Sequence, residues 1–90
     1  MGGWKADAKK NAINRLKAAL TKEKTHGAMA CIAAIDVHRR DNLTIALDTV
    51  VAWLQSDGRP PLEQADKIME LVKAAEEADH ASKGVLPPWG

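Results

Sequence analysis

The sequence predicts an all-α domain, a small bundle of three to four helices with a short extended C-terminal tail. Three observations carry this. Wound at 100° per residue, Leu43–Leu54 places Leu43, Ala46, Leu47, Val50, Val51, Trp53 and Leu54 on one broad arc, as a helix covered on one side requires. The chain has no Phe and no Tyr, and three Trp carry all its aromatic area, so the core is aliphatic and alanine-rich and suits closely packed helices. Ser56-Asp57-Gly58-Arg59-Pro60-Pro61 is the clearest turn, and helical spacing resumes beyond it.

Ninety residues form one domain, 1–90, with a single modest core. A chain of that length buries only about 60–65% of its unfolded surface, which leaves room for a partner or a second copy. The net charge of +1 predicts no general attraction to nucleic acid or membrane. Cys31 is the only cysteine, so no intrachain disulfide forms and a reducing compartment fits best. No apolar run resembles a signal peptide or reaches the length of a bilayer span. The expectation is a cytoplasmic protein with no membrane contact.

The first helix is expected over about 4–24. Ala12, Ile13, Leu16, Ala19 and Leu20 make its stripe, which Lys5 and Lys9 interrupt near a start expected to fray. Lys5, Lys9, Lys10, Arg15, Lys17, Lys22 and Lys24 oppose only Asp7 and Glu23, leaving +5 over residues 1–24. These seven cations are the candidate surface for a partner or for phosphates. A solvated amphipathic face is the favoured reading, because no aromatic or Gly-rich interleaving accompanies the lysines.

Thr25-His26-Gly27 breaks the pattern, and a second helix is expected over about 28–39. Its apolar run Ala28–Ile35 predicts burial on nearly all sides, with Met29, Ile32, Ile35 and Val37 filling space. No Gly or Pro separates it from the third helix, about 42–56, so one bent helix over 28–56 is the alternative. Asp41-Asn42 is the expected break, and Gly58 is the expected left-handed residue beyond the third helix. That third helix is expected to be central. Burying its five large aliphatics and Trp53 is worth roughly 10–15 kcal/mol as an upper bound. Ile45 and Ala52 fall on its far side, so Ile45, Leu47, Val50, Trp53 and Leu54 are candidates for the core or a dimer interface.

The fourth helix is expected over about 61–81, with Pro61 at its first position and Glu63 in its first turn. Ala65, Ile68, Met69, Leu71, Val72, Ala75 and Ala78 cover one half. Six acids against Lys67 and Lys73 leave −4, and Glu63, Asp66, Glu70, Glu76 and Glu77 form a candidate acidic surface. Charge is therefore segregated between the first and last helices. In the tail, 82–90, Leu86 and Trp89 flank Pro87-Pro88 and are expected to strap back onto the helices.

Chemistry is sparse. His26, Cys31, Asp36, His38 and His80 are the donors that come into question, and none of the short metal-binding spacings occurs. No Gly-rich phosphate loop follows a strand, and the clustered glutamates lack an apolar setting that would make one an acid and another a base. No catalytic residue, metal or cofactor is expected. A helix-turn-helix would make Leu43–Leu54 the reader, yet that segment holds no Arg or Lys. The reading is a non-enzymatic protein-protein interaction module, a homodimer that regulates or inhibits another protein by occupying its surface. Small phage-encoded inhibitors, anti-CRISPR proteins among them, share this build in size and composition only. A nucleic-acid-associated protein using the basic first helix is the less favoured alternative.

Overall fold

Four helices fill the computed structural model, which describes the backbone of residues 3–83 and the side chains of 7–83. They are α1 (Gly3–Glu23), α2 (His26–His38), α3 (Leu43–Leu54) and α4 (Leu62–Ser82), and no strand occurs among the described residues. The expected tail packing by Leu86 and Trp89, and the side chain of Lys5, lie outside them.

Local chemistry sets each boundary. Lys24 takes a left-handed φ of 53° and stops α1. Thr25 then caps α2, its Oγ1 accepting from the Ala28 N–H at 3.2 Å. The cap starts α2 two residues before the expected 28, with His26 and Gly27 already helical. Residues 39–42 leave the helical path, so 26–54 is two helices rather than one bent one. Asn42 occupies the N-cap of α3 without a side-chain bond, and its carbonyl accepts from the Ile45 N–H at 3.0 Å. At the far end Ser56 Oγ donates to the Trp53 carbonyl at 2.6 Å. Gly58 is not the left-handed residue expected there, because α3 closes earlier, on Gln55 and Ser56. Pro61 stands at the N-cap of α4 rather than inside it: its ψ of 150° is extended, and its carbonyl accepts from Ala65 at 2.9 Å.

The helices form an antiparallel ring in chain order, closed by α1 against α4, with no close backbone approach across either diagonal among the described residues. No helix is central. Helix α3 supplies the most core, burying Leu43, Ala46, Leu47, Val50, Trp53 and Leu54, yet among the described residues its backbone runs close only to α2 and α4. Ile13, Leu16 and Leu20 of α1 meet Ile68, Val72 and Ala75 of α4 in that core. Helix α2 buries only Ala28, Cys31 and Ile35, against the expectation that nearly all its sides are covered. A ring gives each helix two neighbours, so a helix apolar all round must leave part of its surface bare.

Candidate functional site

Two charged residues end the core ladder. Ile13, Leu16 and Leu20 continue backwards to Lys9, and Ile68, Val72 and Ala75 continue forwards to Asp79, at matching intervals of four, three and four residues. Antiparallel packing then brings Lys9 Nζ to 3.0 Å from Asp79 Oδ1, while Lys83 Nζ, one turn on, stands 3.2 Å from Oδ2. Asp79 is 1% exposed. Burial pushes its carboxyl up, but the ammonium groups of Lys9 and Lys83 beside it outweigh that and hold it below the usual carboxylate range. Lys9 therefore closes the core rather than interrupting it in a frayed first turn. Reading α4 as acidic missed Asp79; the signal was its place on the Ile68-Val72-Ala75 stripe.

The candidate basic surface does not form one face. Lys10 and Lys17 flank the buried stripe of α1 on the α2 side, where Lys17 donates to Asp36. Arg15 and Lys22 flank it on the α4 side, beside Gln64, Lys67 and Leu71. Lys24 lies in the turn beyond the helix. On α4, Glu63, Asp66, Glu70 and Glu77 are exposed and Glu76 is half-buried.

Of the core or dimer candidates, Leu47, Val50, Trp53 and Leu54 are buried within the chain, and only Ile45 is exposed. Trp53 lies on the start of α2, where Gly27 leaves the space: a Cβ there would run into Nε1 of the indole. The indole N–H is buried without an acceptor among the described residues. One step along, Cys31 Sγ reaches the Thr49 carbonyl at 3.9 Å, and burial raises the thiol to about 11. That makes Cys31 a packed, unreactive side chain. No group of three His, Cys, Asp or Glu side chains able to hold a metal occurs among the described residues.

The Trp53–Gly27 and Cys31–Thr49 contacts share one antiparallel register, which brings Ile45 alongside Ile35. Ile45 and Ala52 come next around α3 after Thr49, on the side nearest α2. The outer side of α2 carries Met29, Ala30, Ala33 and Val37. Met29 is 60% exposed, Val37 75% and Ile45 51%. The α2–α3 hairpin thus presents an outer apolar face, bordered by Asp36 and Asp48. Leu62, exposed at the start of α4, is separate from it. No described helix is long and apolar enough to cross a membrane.

No protein-family model, curated protein or solved structure matches this chain.

Proposed function

We propose that this chain is a non-enzymatic protein-interaction module that self-associates through the outer face of the α2–α3 hairpin and regulates a partner by occupying its surface. One observation supports it above the rest: Met29, Val37 and Ile45 are all more than half exposed on one side of two adjacent helices. A small protein does not keep such residues together in water without a cost in solubility. The first occupant is a second copy. Met29, Ala30, Ala33, Val37, Ile45 and Ala52 carry no charge, so a two-fold pairing sets no like charges against each other at its centre. Ala30 and Ala33 let two α2 backbones approach closely, while the larger side chains interlock around them. The four other core or dimer candidates stabilise the fold and take no part in the interface.

Sedimentation equilibrium at micromolar concentration tests this. A dimer is expected, and Val37→Lys with Ile45→Lys is expected to give a monomer of unchanged helix content. A wild-type chain that stays monomeric throughout that range overturns the reading.

A further inference from the structure

The end of the bundle that carries the α2–α3 turn gathers cations from three elements. Lys9 and Lys10 of α1 and Arg39 and Arg40 of the turn line one open depression of about 360 Å³, together with Ile13 and Ser82. Lys83 joins them through Asp79, which also holds Lys9. Among the described residues no acid pairs with Lys10, Arg39 or Arg40. Asp79 is buried and engaged by two lysines; Asp36 is engaged by Lys17. Asp41 and Asp7 are exposed, and neither forms an ion pair among the described residues. Lys10, Arg39 and Arg40 likewise form no side-chain hydrogen bond or ion pair there.

Arg39 and Arg40 follow the C-terminus of α2, where cations suit the helix dipole. That does not account for Lys10, which sits in the N-terminal half of its own helix. Nor does it account for all four cations opening onto the same depression. Lys9 is 18% exposed and held from beneath by a buried carboxylate, so one ammonium group is fixed in place. The two guanidinium groups add planar forks that match oxyanions.

We propose that this depression binds a compact phosphate anion, such as the di- or triphosphate of a nucleotide. Its volume lies at the small end of ligand sites, roughly 300–1,000 Å³. A compact anion fits better than a duplex. The other cations of α1 divide between two flanks, so they offer no single continuous stripe along which a duplex could lie. The site lies off the apolar face and rests on different residues, so it stands whether or not the chain dimerises.

Isothermal titration and amide chemical-shift mapping on the full chain, with inorganic tripolyphosphate and then ADP at about 0.1 M salt, test the proposal. Saturable binding is expected, with the largest shifts at Lys10, Arg39 and Arg40. The triple variant Lys10→Gln, Arg39→Gln, Arg40→Gln is expected to weaken it at least about tenfold. The variant Arg15→Gln, Lys22→Gln, Lys24→Gln removes the same charge elsewhere and is expected to change affinity less than about threefold. Circular dichroism checks that both variants fold. Equal weakening by the two variants, or shifts that never saturate, overturns the site. Binding of duplex DNA without binding of tripolyphosphate overturns it in favour of a nucleic-acid surface.

Discussion

Asp79 shows how a single residue can be held by opposing terms of similar size. Taking a carboxylate out of water costs several kcal/mol, and one lysine at a surface returns much less. Two lysines on separate oxygens tip the balance, so the folded state holds the carboxylate below its unfolded value. A lowered folded value means the contribution is complete above the unfolded pKa, near 4, and is lost as pH falls through the folded one. Asp79→Asn is expected to cost about 1–3 kcal/mol at neutral pH and to remove part of the acid sensitivity. Urea midpoints at pH 7 and pH 2.5 for both proteins read this out; an unchanged acid slope in the variant counts against it. At two further positions a Cβ is unfavourable, one where it is absent and one where it is present. Gly27→Ala gains up to about 1 kcal/mol in helix propensity, but the new atom meets the buried indole of Trp53, and overpacking costs about 1–3 kcal/mol. A net loss in thermal midpoint is expected. Lys24→Gly relieves a left-handed residue and is expected to raise stability by about 1 kcal/mol.

Among the elements, what could be read from sequence depended on whether a helix showed its covered side. Leu43–Leu54 has polar residues opposite its apolar arc, so its buried set was legible; Val51 alone is half-buried. The Ala28–Ile35 run has no polar side, and no period in it could reveal which arc its neighbours cover. That information belongs to α1 and α3. Asp79 failed for a related reason: Glu76 and Glu77 are its sequence neighbours, while its partner Lys9 stands at the other end of the chain. The break at 39–42 is legible from Asp41-Asn42, whereas Gly58 is a misleading signal, because glycine usually fills the left-handed position beyond a helix but α3 closes on Gln55 and Ser56. Trp53→Ala is expected to cost about 3–5 kcal/mol, since it empties the site shared by α2 and α3. A loss below about 1 kcal/mol in denaturant unfolding places the core elsewhere. The segregated charges of α1 and α4 do less. Lys17 pairs with Asp36 of α2, not with the acidic helix, and both side chains reach solvent. A double-mutant cycle with Lys17→Gln and Asp36→Asn is expected to give about 0.2–1 kcal/mol, falling as salt is added.

At the scale of the whole molecule, the ring accounts for both the stability and the bare face. Four helices around one small core bury their inward arcs, and among the described residues no further layer covers the outer side of α2. A partner covering that side lowers the free energy of the folded state alone, because the unfolded chain has no such face to offer. Dimerisation and folding are then linked by mass action. If the folded species is a dimer that unfolds to two chains, each tenfold rise in protein concentration adds about 1.4 kcal/mol of apparent stability per mole of dimer. The thermal midpoint of the wild-type chain is therefore expected to climb across a hundredfold concentration series. Val37→Lys with Ile45→Lys should abolish that dependence while keeping the helical spectrum, because both side chains lie outside the core. Calorimetry on the two proteins separates the outcomes. A midpoint independent of concentration in the wild type means that the hairpin face does not self-associate and is exposed for a different occupant.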